Sequence, residues 1–297
     1  MSSIERAVDS QVLERMVGWL GDLPGFKRSH ASDSLFVAEG YLGARANTDK
    51  DQLFLLALDV TYWYWIDDRT DESLDKPTSG VDWERLFAAI DHAGAIVHPV
   101  TPEADFLSRL SAELAAVAPS PVDHAWWLTS AERTLRAFHQ GERISRGRLT
   151  PILAEYLETG SWSSTIRNIL STASILYRMD WANRRRDTRL MDLERYLALI
   201  ARLENDAYGF EKERREGCFA NAVLLMERHL PTQAAKKFID EQREAYEALL
   251  GQGLASLAPD DPFAVLANGF LEAHRKWYGH RPERYAGAAS SSERGEP

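Results

Sequence analysis

The 297-residue chain has a single cysteine, Cys218, and little of what disulfide-rich, membrane-spanning or nucleic-acid-binding proteins require. One thiol excludes an internal disulfide framework and a cysteine-based zinc cluster. No apolar run approaches the roughly 20 residues that cross a membrane, and residues 1–10 lack the apolar core of a signal peptide. Positive charge is scarce, because 35 Lys and Arg stand against 45 Asp and Glu, for a net charge of -10. We therefore expect a cytoplasmic protein whose main partner is neither nucleic acid nor a membrane.

The period-two alternation typical of strands is also missing, whereas apolar residues recur at helical spacing along almost the whole chain. Residues 3–23 form one such stripe, which Pro24 ends. Residues 49–68 contain the run LFLLALDVTYWYWI, which is apolar on most sides and predicts a buried helix. We predict an all-α fold of about ten helices in one domain, 1–285, followed by a disordered tail, 286–297.

Two weaker features concern the ends of helices. The polar stretch after residue 68 contains Pro77 and Gly80, which predicts a loop. Pro151 is typical of a helix start, and the helical pattern then continues to about Asp180, although Gly160 lies within it. We therefore expect one long helix over 151–180.

An acidic cluster, WIDDRTDE, closes the apolar helix. Asp67 and Asp71 are four residues apart and share one helix face if the helix continues through them. Two carboxylates that repel one another near the negative end of the helix dipole make more sense if a divalent cation binds them. Carboxylate oxygens with open water positions suit Mg²⁺. The alternative is a solvated helix end that runs into an acidic loop.

A second cluster, NDAYGFEKE, places Asn205, Gly209 and Glu213 on one helix face, with the cation of Lys212 beside them. Glycine inside a helix costs about 1 kcal/mol relative to alanine, which indicates a packing or functional reason for Gly209. The alternative is an exposed helix held by charge pairs such as Glu211 with Arg215.

Together the two clusters resemble the aspartate-rich DDxxD motif and the NSE motif of class I terpene synthases, in the same order and at a similar separation. Arg284 and Tyr285 lie where that family carries an Arg-Tyr pair. The resemblance covers residues 1–285 and implies a helical bundle around a central active-site cavity. It implies a lyase that uses Mg²⁺, as a set of three ions, to ionise an isoprenoid diphosphate.

The resemblance also implies roles for individual residues. Asp67 would bind Mg²⁺ that bridges to the substrate diphosphate, Asp71 would support that site, and Asp68 would orient Arg284. The remaining expectations are a further Mg²⁺ on Asn205 and Glu213, and diphosphate contacts from Lys212, Arg284 and Tyr285. The carbocation that remains needs a dry cavity with aromatic walls. The best candidates for those walls among the 30 aromatic residues are Trp63 and Tyr64, although filling the core is the alternative role for each.

Two positions depart from the family pattern. Gly209 replaces the serine of the NSE motif, so that water must fill a metal position. Gly160, in the segment YLETG, stands where the family places an arginine that senses the diphosphate. Arg167 or the run 184–186 could substitute for it, unless these are ordinary surface arginines.

These departures, together with the segment 199–222, resemble bacterial class I labdane-related diterpene synthases such as bacterial ent-kaurene synthases. The resemblance implies a bicyclic copalyl-type diphosphate as substrate. Because the chain lacks the DxDD motif of class II cyclases, a partner class II diterpene cyclase would have to supply that substrate. A sesquiterpene synthase acting on farnesyl diphosphate is the nearest alternative, and a non-catalytic helical scaffold is the alternative from another class. The sequence sets neither the product nor the oligomeric state, and a homodimer is compatible with it.

Overall fold

The computed structural model describes residues 8–42, 49–75, 80–90 and 101–280. Within these ranges the chain forms helices and no strand, so the all-α prediction is confirmed. The thirteen helices are α1 (Ser10–Leu20), α2 (Arg28–Leu42), α3 (Lys50–Asp75), α4 (Trp83–Ala89), α5 (Pro102–Val117), α6 (Pro121–Ser145), α7 (Leu153–Ser163), α8 (Ile166–Leu176), α9 (Trp181–Arg184), α10 (Thr188–Glu216), α11 (Ala222–Met226), α12 (Thr232–Ala255) and α13 (Pro262–His280). Two of them, α9 and α11, have only four and five residues.

Helix α3 is a central element of the bundle and packs against α2, α5 and α8. Every residue of the stretch 53–66 is buried except Tyr64, as the apolar run predicts. The helix continues to Asp75, so the predicted loop begins later than expected. Neither proline nor glycine interrupts residues 69–75, and the guanidinium of Arg69 is held by the buried carboxylate of Glu103 at 2.7 Å.

The segment 151–180 does not form the single helix that its sequence pattern predicts. Helix α7 ends at Ser163, and α8 begins at Ile166 after a break. Thr165 lies in the left-handed region with φ of 67°, an unusual conformation for a β-branched residue. The break contains neither glycine nor proline, so residue type gives no signal of it.

Helix α10 packs against α7, α8 and α12. Its 29 residues lie between the N-cap Asp187 and Gly217, whose φ of 68° ends the helix in a left-handed cap. In the described part of the chain no helix is both long and apolar enough to span a membrane. Residues 286–297 lie outside the described residues, so the predicted disordered tail stays a prediction.

Candidate active site

Two connected cavities lie inside the bundle. The first, called here the aromatic cavity, is lined by Val37, Tyr41, Val60, Trp63, Tyr64, Phe138, Ser164, Thr165, Ile166, Ile169, Ala201, Phe270, His274 and Trp277. The second, called the polar cavity, is lined by Thr70, Gly141, Glu142, Ser145, Gly209, Lys212, Glu213, Cys218 and Ala220. Both cavities share a common boundary, formed by Asp67, Phe138, Ser163, Arg202 and Asn205. An apolar chamber therefore opens onto a charged one.

The aspartate-rich segment contributes Asp67 to this boundary, because α3 continues through it. The neighbouring Asp68 has another environment: its Oδ2 lies 3.2 Å from Lys27 Nζ and 2.9 Å from His30 Nε2. Arg284, which Asp68 is expected to orient, lies outside the described residues. Asp71 belongs to α3, one turn after Asp67, but its side chain is outside the described part of the chain. These two roles therefore stay predictions.

The second predicted cluster lies on the face of α10 that lines the polar cavity. Asn205, Gly209, Lys212 and Glu213 all contribute to its wall. The side chain of Glu213 folds back over Gly209, so that Oε1 lies 2.5 Å from the position that a Cβ at residue 209 would take. The absence of a side chain at residue 209 thus leaves the space that this carboxylate occupies.

The second oxygen of the Glu213 carboxylate has a hydrogen-bond donor. Its Oε2 accepts a hydrogen bond of 2.9 Å from Nδ2 of Asn221, a fully buried residue. Burial, and then the charge of Asp206, raise the pKa of Glu213 to about 7. A carboxylate in this environment gains more than an exposed one when a cation binds beside it.

A buried network that sequence reasoning missed supports the start of the motif. Asp206 is fully buried and forms an ion pair with Arg202. The phenol of Tyr156 donates to Asp206 Oδ2 at 2.8 Å and accepts from Arg202 Nε at 2.9 Å. The backbone N–H of Ala222 donates to the same carboxylate at 3.0 Å. This network fixes α10 against α7 and against the segment that follows α10.

Aromatic rings form much of the wall of the aromatic cavity. Trp63 and Tyr64 are both present there, as are four rings that the sequence analysis did not single out, Tyr41, Phe138, Phe270 and Trp277. The rings of Trp63 and Phe138 stack at 6.1 Å with an interplanar angle of 4°. The indole Nε1 of Trp63 is turned away to Asn168 at 3.0 Å and to Asp59 at 3.3 Å. Helical spacing could not identify the four missed rings, because they come from α2, α6 and α13.

Three of the four arginines considered as substitutes for the one missing at Gly160 have other partners. Arg167 Nε donates to the buried Glu194 at 2.8 Å, and Arg185 Nη2 donates to the same carboxylate at 3.1 Å. Arg184 pairs with Asp261 at 2.7 Å. None of the three lines either cavity. Tyr285, like Arg284, lies outside the described residues.

The residues around the polar cavity fit a magnesium ion that is completed by a ligand. Within the described part of the chain, no three His, Cys, Asp or Glu side chains group closely enough to hold a metal ion by themselves. Asp67, Asn205 and Glu213 nevertheless offer two carboxylates and an amide to one cavity. Mg²⁺ typically takes one or two protein carboxylates and completes its shell with water and substrate phosphates. This donor set is therefore suited to an ion that binds together with a phosphate ligand.

Known structures share this architecture. The chain superposes on 2-methylisoborneol synthase from Streptomyces coelicolor A3(2), solved with Mg²⁺ and geranyl-S-thiolodiphosphate, with a TM-score of 0.71 and 14% identity over 94% of each chain. Linalool/nerolidol synthase from Streptomyces clavuligerus, solved with 2-fluorogeranyl diphosphate, gives a TM-score of 0.71 and 16% identity over 90% of this chain and 97% of that one. Germacradien-4-ol synthase from Streptomyces citricolor gives a TM-score of 0.66 and 17% identity over 94% and 97%.

At these identities the superpositions establish the fold alone. The sequence itself matches the model of terpene synthase family 2, C-terminal metal binding, over residues 60–248. That range includes Asp67, Asn205 and Glu213. Because it spans more than half of the chain, the protein belongs to terpene synthase family 2 and is a class I terpene synthase.

Proposed function

We propose that this enzyme is a Mg²⁺-dependent diterpene synthase that ionises a bicyclic copalyl-type diphosphate. The observation that carries the reaction is the junction of the two cavities at Asp67 and Asn205. A substrate with a charged head and an apolar skeleton fits this arrangement, with the diphosphate in the polar cavity and the hydrocarbon in the aromatic one.

The proposed site residues have two roles, metal binding and diphosphate binding. Asp67, Asn205 and Glu213 hold Mg²⁺, and Lys212, Arg284 and Tyr285 contact the diphosphate. Asp71 supports the metal site, and Asp68 orients Arg284. When bound, Mg²⁺ supplies positive charge that stabilises the negative charge of the departing diphosphate.

The substrate C–O bond breaks with its electron pair on the diphosphate, and an allylic cation remains in the aromatic cavity. Trp63, Tyr64 and Phe138 stabilise that cation through their ring faces without reacting with it. Deprotonation gives a labdane-related hydrocarbon, either directly or after further cyclisation, with the released diphosphate as the base.

The diterpene assignment is supported by Gly209, by Gly160 and by the segment 199–222, which resemble bacterial labdane-related synthases. A partner class II diterpene cyclase then supplies the substrate. A second candidate is a synthase acting on an acyclic substrate such as farnesyl diphosphate. Two neighbours of the same fold were solved with analogues of an acyclic prenyl diphosphate, which is the reason for testing this candidate beside the first.

The test is incubation of the purified protein with Mg²⁺ and each of geranyl, farnesyl, geranylgeranyl and copalyl-type diphosphates. The expected result is diphosphate release and a diterpene hydrocarbon from the bicyclic substrate alone, abolished by EDTA. Products from farnesyl diphosphate instead would establish the second candidate. No diphosphate release from any substrate would contradict both and favour a non-catalytic scaffold.

Two variants connect the activity to the site. Asp67→Ala and Asn205→Ala should each abolish product formation while the far-ultraviolet circular dichroism stays helical. Full turnover by both variants would show that the polar cavity is not the metal site.

A further inference from the structure

Asp59 on α3 is a fully buried carboxylic acid behind the wall of the aromatic cavity. Its Oδ1 accepts a hydrogen bond of 3.3 Å from Nε1 of Trp63, and its Oδ2 accepts one of 2.9 Å from the hydroxyl of Thr172. Trp63 lines the cavity, and so does Val60, the next residue along α3. The acid is therefore separated by one side chain from the space that a substrate skeleton would occupy.

No cation offsets the charge of this acid when it ionises. Within the described part of the chain, Asp59 forms no ion pair with a Lys, Arg or His side chain. Its side-chain donors are the hydroxyl of Thr172 and the indoles of Trp63 and Trp127, all of them neutral. A buried carboxylate without a counter-charge is costly. An asparagine of the same shape could accept from the same indole without that cost, so the fold alone does not explain an acid at residue 59.

The indole of Trp63 connects Asp59 to the cavity. Its N–H donates to Asp59 and, at 3.0 Å, to Oδ1 of Asn168, while the ring belongs to the cavity wall and stacks on Phe138. An indole that donates to an anion is polarised, which makes its ring faces more attractive to a cation. The negative charge also attracts the cation directly, because buried charges are screened little.

We propose that ionised Asp59 is the counter-charge of the carbocation and acts on it through Trp63. The inference rests on the proposed function, because it needs a cation in the aromatic cavity. Asp59 does not touch the substrate and is a positioning residue, which fixes the indole and places a negative charge behind it. The positive charge exists only after the substrate C–O bond has broken. Asp59 therefore favours the ionised state over the bound neutral hydrocarbon.

The other ionisable groups around Asp59 stay neutral between about pH 5.5 and 8. Tyr41 on α2 and Tyr62 on α3 are the ionisable side chains whose charges would act on it, and burial raises the pKa of both well above the usual value of 10.0. From α6 and α8, its side-chain contacts are an indole and an alcohol, which do not ionise. Burial lowers the pKa of His274, which lines the cavity from α13, to about 4. Burial raises the pKa of Asp59 itself to about 7, so it changes charge within this range.

The first experiment measures cation binding without chemistry. The probes are a decalin that carries a tertiary ammonium group and its uncharged carbon isostere, each titrated by calorimetry with Mg²⁺ and inorganic pyrophosphate present. At about pH 8, Asp59→Asn should weaken binding of the ammonium probe about tenfold and change binding of the isostere less than about twofold. At about pH 5.5, where Asp59 is protonated, both proteins should bind the ammonium probe alike. Asp123→Asn, which removes a buried carboxylate of α6 that lines neither cavity, is the matched control and should match wild type throughout.

The second experiment measures the chemical step as a single-turnover rate. The ratio of the wild-type rate to the Asp59→Asn rate should rise from about one at pH 5.5 to about ten at pH 8, with KM unchanged. This ratio cancels the ionisation of groups that both proteins share. Thr172→Val removes a hydrogen bond that favours the ionised form of Asp59. Its affinity for the ammonium probe should therefore rise at a higher pH than that of wild type, and this comparison decides the matter if Asp59→Asn folds poorly.

The outcomes separate the two proposals. An unchanged ammonium affinity in folded Asp59→Asn would overturn the role of Asp59. A loss of the same size for both probes, or at both pH values, would also overturn it, because a loosened wall gives that pattern. In each case wild-type turnover of a prenyl diphosphate would still support the proposed function. Absence of wild-type turnover with every substrate would overturn the function itself.

Discussion

Glu213 occupies the space above Gly209, with its Oε1 2.5 Å from where a Cβ of that glycine would be. The glycine therefore does more than remove the serine hydroxyl of the NSE motif. It lets the motif's carboxylate fold close to the α10 backbone and meet Asn221. This relationship explains a helix-interior glycine that otherwise costs about 1 kcal/mol.

Gly209→Ala should displace the Glu213 carboxylate from its position. We expect the Mg²⁺ concentration for half-maximal diphosphate release to rise about ten- to hundredfold, because displaced or unsupported ligands typically lose that much metal affinity. Gly251→Ala is the matched control, since a Cβ at this exposed site in α12 meets nothing within 4 Å. The control should gain about 1 kcal/mol of stability and keep its Mg²⁺ requirement. Equal Mg²⁺ requirements in both variants would contradict the steric account.

Asn221 should act as a positioning residue for Glu213. Its Nδ2 donates to Glu213, while its Oδ1 caps α11 by accepting from the N–H groups of Val223 and Leu224. Asn221→Ser keeps a capping oxygen but is too short to reach Glu213, whereas Asn221→Ala loses both functions. We expect both variants to need about tenfold more Mg²⁺. Only Asn221→Ala should lose a further ~1 kcal/mol of unfolding free energy.

Chemical denaturation and Mg²⁺ titration of the two Asn221 variants separate these effects. If Asn221→Ser unfolds at a lower denaturant concentration but keeps the wild-type Mg²⁺ requirement, then Asn221 serves the fold alone.

Much of the fold follows from local sequence. Helix α6 begins at Pro121 directly after the capping residue Ser120, and both residue types are typical of a helix start. The break before Ile166 did not follow, because Thr165 adopts a left-handed conformation that its residue type disfavours. Tertiary packing must impose that conformation, and a single sequence does not display it.

Part of the candidate site also follows from local sequence, and part of it does not. Spacing along one helix brings Asn205, Lys212 and Glu213 to one cavity, because residues at this spacing share a face. Arg202 is three residues before Asn205 and shares that face, so helical spacing could have placed it in the site. Asn221 and Tyr156 come from other segments, and only the folded chain brings them to the motif.

Asp59 should make the stability of the protein depend on pH. It is fully buried, accepts from Thr172 at 2.9 Å and from Trp63 at 3.3 Å, and burial raises its pKa to about 7. Between its unfolded pKa of 3.8 and about 7, the folded state keeps a proton that the unfolded state loses. The contribution of Asp59 to stability is thus fully present below the lower pKa and is lost as the pH rises through the upper one, by up to about 1.4 kcal/mol per pH unit.

Asp59→Asn removes this ionisation. Its unfolding free energy relative to wild type should therefore rise from about pH 4 to pH 7 and stay level above that. Urea unfolding of both proteins at pH 4.5, 6, 7.5 and 8.5 measures the difference directly. A difference that does not vary with pH would show that Asp59 titrates near its unfolded value.

Trp63 should determine how well the aromatic cavity stabilises a cation. Its ring lines that cavity and stacks on Phe138, and a cation over an enclosed aromatic face gains up to about 2 kcal/mol. Trp63→Leu should therefore lower kcat by roughly tenfold and change the ratio of products. Trp63→Phe keeps a ring and should lose less.

Trp65 is the matched control, because it is equally buried on the same helix but lines neither cavity, and its Nε1 donates to the Pro24 carbonyl. Trp65→Phe should lower the melting temperature and leave the product ratio unchanged in gas chromatography with mass spectrometry. If Trp65→Phe altered the products as much as Trp63→Leu, general loosening of α3 rather than the cavity wall would explain the change.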